Sequence, residues 1–312
     1  MARGAPVLRP LVIKVARGLK RLEQWIVARI AMGLLWLFRR MPADRALSIA
    51  DGAARRIGPL FGRHRVALSN LRSAYPEKSE EDIQQIASDM WGHMARLAVE
   101  YIYLADLMDF DPSNPSTSRI EVEGEEVFLR LREEKKPHIF FTAHMGNFEL
   151  LPVAASQFQL PLTALFRAPN NPYLAEYVLS TRKEAMGELL ASRAGAAFAL
   201  AGVLQRGGNI GVLVDQKFQR GIKTTFFGRE CLTSPLLPKL ARQFDCDVYP
   251  AYTIRLPDNR FRLIVEDRLD LPRTADGVVD VKASAQLLND VVERWVRQNP
   301  AQWMWFHKRW AA

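Results

Sequence analysis

The chain has only two cysteines, Cys231 and Cys246, in 312 residues. That excludes a disulfide framework and a four-cysteine zinc site, and it fits a catalytic part facing a reducing compartment. There is no low-complexity tract and no internal repeat, and the balance of 48% hydrophobic and 25% charged residues is that of an ordinary folded domain. An apolar run of membrane-spanning length is also missing. The longest, Trp25–Phe38 (WIVARIAMGLLWLF), is broken by Arg29. As a helix it would reach about 21 Å, against a hydrocarbon core of about 30 Å. No small-residue cleavage pattern directly follows it, which argues against a removed signal peptide.

Acidic residues are scarce at one end. Residues 1–66 hold fourteen Lys and Arg against Glu23, Asp44 and Asp51, a net +11, while the whole chain is +9 and the remainder therefore −2. A basic end suits nucleic acid, an anionic membrane or an acidic protein. The apolar block with Trp25 and Trp36 near its ends, bracketed by Lys20–Arg21 and Arg39–Arg40, favours the membrane. An interfacial helix with Arg29 snorkelling, or a short tilted span, fits better than an ordinary transmembrane helix; a buried soluble helix is the bland alternative. Nucleic acid is set aside, because no nucleic-acid motif accompanies the charge.

Past this segment, helices are predicted over Pro42–Gly58, Arg63–Ala74 and Ser79–Leu104, then a loop over Phe110–Ser118. Strands are predicted at Ile120–Val122, Ile139–Thr142, Leu162–Phe166, Ile210–Val214, Val248–Ile254 and Phe261–Val265. The helices between them are Glu125–Glu134, Phe148–Gln157, Pro172–Leu190, Ala196–Gln205, Pro235–Phe244 and Lys282–Val296. The alternation predicts an α/β fold on a largely parallel mixed sheet flanked by helices, with a helical membrane-associated N-terminal segment. Two regions follow: residues 1–75, basic and membrane-anchoring, and residues 76–312, catalytic.

Chemistry concentrates at Ile139–Leu151 (IFFTAHMGNFELL), where an apolar strand runs into His144 and a helix opens at Phe148–Glu149. Active sites of open α/β sheets lie at such strand ends. His144 and Glu149 fit H-x4-D/E. An imidazole takes the proton of an attacking hydroxyl, and a carboxylate on its other nitrogen fixes the tautomer. On one continuous helix the two would stand about 140° apart. A turn at Gly146–Asn147 removes that obstacle, with Asn147 as helix cap. The pattern by itself is weak, and a structural histidine stays equally open.

Other residues suit the same edge of the sheet. Arg167 follows a strand, where it would hold a phosphate or an oxyanion, or make a surface salt bridge. Asp215, Gln216 and Lys217 end the strand GVLV and would organise the site, bind sugar and phosphate, or cap a loop. Gly221 and Gly228 around TTFF suggest a hairpin or a sheet-edge excursion, its aromatics lining an acyl groove or packing in the core. Trp303, Trp305, Phe306 and Trp310 surround a structural His307 in an interfacial or packed tail.

Five segments in order carry a resemblance: HMGNFE (144–149), FRAPNNP (166–172), VDQK (214–217), GIKTTFFG (221–228) and PAQWMWFHKRW (300–310). Together they resemble the lipid A biosynthesis late acyltransferases, the lauroyl and myristoyl transferases. The resemblance implies a lysophospholipid-acyltransferase-like fold at the bacterial inner membrane, with its catalytic domain facing the cytoplasm. It implies acyl-acyl carrier protein as donor, a Kdo-bearing lipid A precursor as acceptor, and no metal or other cofactor. His144 and Glu149 become the catalytic pair, and Asn147, Arg167, Asn170, Asn171, Asp215, Gln216 and Lys217 the substrate-binding residues. Phe148 stands where the family has Trp, and Pro169 lies one place later than the usual Arg-Pro pair. An acyltransferase for another glycolipid or a lysophospholipid, and a non-catalytic lipid-binding protein, are the competing readings.

Overall fold

The computed structural model describes residues 8–110, 118–134, 136–166, 169–185, 188–192 and 195–310. Its first element is α1 (Leu8–Phe38). Val15, Leu19, Leu22, Ile26, Ile30, Leu34 and Leu37 recur every three or four residues along it and are all exposed. This is the spacing of one helix face. The Arg29 guanidinium lies over the Trp25 ring at 5.3 Å and that of Arg40 over Trp36 at 4.3 Å. Among the described residues no helix is long and apolar enough to cross a membrane.

Helices α2 (Ala43–Ile57), α3 (Gly62–Ala74), α4 (Glu80–Glu100) and the short α5 (Leu104–Leu107) follow. Ser79 caps α4 by accepting the Asp82 N–H at 3.1 Å, and Glu80, Glu81 and Asp82 in its first turn complement the helix dipole. The sequence predicts this helix as far as Leu104. It stops at Glu100, where two consecutive side chains, Glu100 and Tyr101, bond Asn147 and Glu149.

The α/β part runs β1 (Ile120–Glu123), α6 (Glu125–Glu133), β2 (His138–Thr142), α7 (Leu150–Gln157), β3 (Leu162–Phe166), α8 (Pro172–Ala185), β4 (Leu189–Ala191), α9 (Ala196–Gln205), β5 (Asn209–Leu213), β6 (Ile222–Phe226), β7 (Arg229–Thr233), α10 (Leu236–Phe244), β8 (Asp247–Arg255), β9 (Phe261–Val265) and α11 (Val281–Gln298). Seven strands form a sheet in the order β1-β9-β8-β2-β5-β3-β4, parallel throughout except between β8 and β9. This is the mostly parallel mixed sheet, flanked by helices, that the alternating pattern predicts. Residues 189–190, predicted at the end of a helix, instead lie in β4, which adds an edge strand to β3. Most of the predicted loop at 110–118 lies outside the described residues.

Strand β2 is buried on both faces, and its alternation feeds two cores. Ile139 and Phe141 pack with Ile210, Val212, Tyr252 and Trp295 on one side, whereas Phe140 packs with Phe128, Leu150, Tyr249 and Leu263 on the other. Burial of a side chain such as Phe141, 1% exposed, contributes about 1.5–3 kcal/mol. Strands β6 and β7 form the expected hairpin. Its two-residue turn, Phe227–Gly228, has positive φ at both positions, 53° and 69°, the sign that a type I′ connection needs. Phe226 and Phe227 are buried in the core cluster.

Candidate active site

Register places the site. In the parallel pair β2–β5, Thr142 stands opposite Leu213, so His144 and Asp215, each two residues further on, arrive side by side at the carboxyl edge of the sheet. His144 Nδ1 lies 2.8 Å from Asp215 Oδ1, and the His144 backbone N–H donates to Asp215 Oδ2 at 2.9 Å. The Trp303 indole N–H donates to that same Oδ2 at 2.8 Å. Asp215 is buried. Burial pushes its carboxyl up, but the His144 charge, the two His144 bonds and the indole outweigh it, holding the group well below the usual carboxylate range.

An ionised Asp215 accepts the Nδ1 proton and leaves the lone pair on Nε2, where the amide of Gln216 lies 3.1 Å away. That tautomer is assigned by the bond network. The ring is partly exposed and meets the edge of Phe148 at 5.0 Å. An imidazole backed by a carboxylate at Nδ1 is, in its neutral form, an arrangement for taking a proton from a hydroxyl at Nε2.

The loop carrying His144 is fixed on several sides. Gly146 has φ +56°, and a Cβ there would sit 2.2 Å from the Thr253 carbonyl oxygen, so only glycine fits. Its N–H donates to the Gln302 carbonyl at 3.1 Å. Asn147 is fully buried; its Oδ1 accepts the Glu149 N–H at 3.2 Å and its Nδ2 donates to Glu100 Oε2 at 2.9 Å. The predicted cap therefore works just ahead of the helix, and α7 begins at Leu150, with Glu149 at its N-cap position. The buried Glu149 carboxylate accepts a hydrogen bond from the Tyr101 hydroxyl.

The remaining predicted residues divide. The Lys217 N–H donates to His307 Nε2 at 3.2 Å, tying the 215–217 segment to the tail. Burial, foremost, pushes His307 down and keeps it a neutral acceptor. Asn171 accepts the Tyr173 N–H at the start of α8 and donates to the Gln24 carbonyl of α1 at 2.7 Å; the Asn170 carbonyl accepts from the Gln24 amide. Those two asparagines thus join α8 to α1. Arg167 lies outside the described residues.

Sequence reasoning missed Trp303 as a partner of Asp215, and Glu100, Tyr101, Arg255 and Gln302 as neighbours of the loop. No local spacing connects them to His144. The interleaved aromatics of the tail do signal packing: Trp303 and Trp305 are fully buried. Away from the site, Glu134, His138 and Asp247 bring donor atoms within 4.8 Å of one another, a grouping that could hold a metal ion. They lie at the opposite edge of the sheet from His144. Lys136 bonds Asp247 and lies 3.5 Å from Glu134, and Arg268 lies 3.4 Å from Asp247, so the carboxylates already have cationic partners.

Residues 13–312 match the model of the bacterial lipid A biosynthesis acyltransferases. Among curated relatives, the lipid A biosynthesis palmitoleoyltransferase of Escherichia coli K12 is 21% identical over 283 residues, covering 89% of each chain. The myristoyltransferase of that organism is 23% identical over 83% of this chain and 80% of its own. Its lauroyltransferase is 22% identical over 90% of each. With a family match across nearly the whole chain, and a histidine–carboxylate pair at the carboxyl edge of its sheet, this protein belongs to the bacterial lipid A biosynthesis acyltransferase family.

Proposed function

We propose that the protein moves a fatty-acyl chain from acyl-acyl carrier protein to a hydroxyl of a Kdo-bearing lipid A precursor, at the cytoplasmic face of the bacterial inner membrane. Acyl transfer in lipid A biosynthesis follows from the family; the donor, the acceptor and the location are the proposal. The observation that carries the mechanism is the 2.8 Å contact between His144 Nδ1 and Asp215. His144 Nε2 takes the proton of the acceptor hydroxyl as its oxygen attacks the thioester carbonyl. The tetrahedral intermediate collapses to an ester, and the departing thiolate takes the proton back from the imidazolium. Asp215 holds the tautomer and balances the imidazolium charge.

Glu149, the acid of the H-x4-D/E motif, is the second carboxylate assigned to catalysis, with Tyr101 fixing its orientation. Gln216 yields its place at Nε2 to the incoming hydroxyl. Lys217 and Arg167 supply positive charge for phosphate on the acceptor, and Asn170 and Asn171 shape the walls of its site, whereas the buried Asn147 braces the loop. The basic, apolar-striped α1 docks on anionic lipid.

The test is acyl transfer from acyl-acyl carrier protein to the Kdo-bearing precursor by wild type and by folded His144→Ala. The expected result is loss of product by about three orders of magnitude with membrane association intact. Equal product from both would end the His144 mechanism.

A further inference from the structure

Directly behind the His144 loop lies a buried ion pair that no step above uses. Glu100, the last residue of α4, is 0% exposed, and Arg255, the last residue of β8, is 6% exposed. The guanidinium donates to both carboxylate oxygens, Nη2 to Oε2 at 2.9 Å and Nη1 to Oε1. A two-bond fork of this kind fixes the angle of the carboxylate as well as its position. Arg255 is held in turn by Gln302: its N–H donates to Gln302 Oε1 at 2.6 Å, and Gln302 Nε2 donates back to the Arg255 carbonyl at 2.9 Å.

Each end of this cluster touches the loop. Glu100 Oε2 accepts from Asn147 Nδ2, and the Gln302 carbonyl accepts from the Gly146 N–H. Tyr101, next along from Glu100, bonds the Glu149 carboxylate. The last residue of α4 and the one that follows it therefore grip both polar side chains of the Asn147–Glu149 segment, three and five residues past His144. A buried pair is weak evidence for stability, since apolar groups of equal volume often do as well. Its value here is directional: an apolar substitute packs, but offers Asn147 no acceptor.

We propose that Glu100, its charge balanced by Arg255, is a positioning residue for acyl transfer: the acceptor oxygen it offers Asn147 sets the loop that aims His144 and Glu149. The inference rests on the acyl-transfer reading. Misplacement of a reacting group by about 1 Å costs roughly a hundredfold in rate. Small errors in this clamp should therefore appear in kcat, with the acceptor site unaltered.

Two double variants separate positioning from packing. Glu100→Gln with Arg255→Met removes both charges but keeps an oxygen for Asn147. Glu100→Leu with Arg255→Met removes the charges and the oxygen together. In the full-length protein, the first is expected to keep kcat within about threefold of wild type. The second is expected to lose about 10- to 100-fold in kcat with KM unchanged, at a matched thermal midpoint. Amide hydrogen exchange should rise over residues 144–150 in the second variant alone. Equal kcat in the two variants, high or low, with equal exchange over the loop, would overturn the proposal. If either pair fails to fold, Asn147→Asp keeps the oxygen that takes the Glu149 N–H but puts a carboxylate oxygen in place of the donor to Glu100, with the ion pair whole. It should show the same kcat loss and the same local exchange, and an unchanged loop there overturns the proposal too. Absence of acyl transfer in wild type would instead sink the acyl-transfer reading, and the exchange comparison would still judge the clamp.

Discussion

Asp215 meets His144 twice, at the imidazole Nδ1 and at the backbone N–H, one through each carboxylate oxygen. The same oxygen that takes the backbone bond also takes the Trp303 indole. Every bond to this carboxylate therefore opposes rotation about its own axis, and the imidazole it holds is left one orientation. A group held so tightly suits the proposed step, in which the ring must not turn as it gains and returns a proton.

Asp215→Asn replaces the acceptor at Nδ1 with an amide that can present a donor there and favour the other tautomer. The expected outcome is a fall in kcat of about 10³- to 10⁴-fold with little change in KM, measured as acyl transfer at saturating donor. Glu149→Gln, measured alongside, apportions the role between the two acids. A larger loss there than in Asp215→Asn would hand the carboxylate partnership to Glu149.

Acid should destabilise the protein through its buried and half-buried histidines. Burial first, and then the Arg255 and Arg96 cations, push His93 down to about 4 from its ordinary 6.5. His64, His138 and His307 are also lowered, mainly by burial. Each binds its proton more readily in the unfolded chain, so the stability it contributes is whole above 6.5 and is lost as pH falls towards the folded value. The thermal midpoint should therefore decline between pH 6.5 and 4, and His93→Leu should flatten part of that decline. An identical slope in wild type and variant would remove His93 from the account.

The exposed stripe on α1 should carry lipid contact. Ile26→Glu with Ile30→Glu, both on that stripe and both exposed, is expected to weaken co-sedimentation with anionic vesicles at least tenfold, since two apolar contacts are replaced by two like charges. The far-ultraviolet circular dichroism spectrum should remain that of wild type. Wild-type binding should weaken as salt rises, because the basic side chains of this region contribute through a screened field. Unchanged binding by the variant would place the lipid contact elsewhere.

What the sequence made legible was local. The apolar runs Ile139–Thr142 and Leu162–Phe166 read correctly as strands because they are short, apolar and mostly buried, and Ser79 announced α4 through a cap three residues long. Edge strand β4, three residues long, lacks enough pattern to register. The candidate site divides in the same way. His144 stood out beside a strand end, whereas its Asp215 partner lies 71 residues away, joined only by the pairing of β2 with β5. Glu100 and Arg255 are 155 residues apart and make sense only once α4 and β8 are folded together.

The same pairing has a bearing on how this protein can change. Thr142 facing Leu213 is a measuring stick as much as a contact. A slip of one residue would turn every following side chain to the opposite face of the sheet, and His144 and Asp215 would part company. What prevents the slip is the interlock of Ile139, Phe141, Ile210 and Val212 with their core. Selection on those greasy, chemically inert side chains is thus also selection on the His144–Asp215 pair beyond the end of their strands. Variation that a packing argument alone would tolerate there is closed to the lineage, and anyone redesigning this interior would be retuning the enzyme.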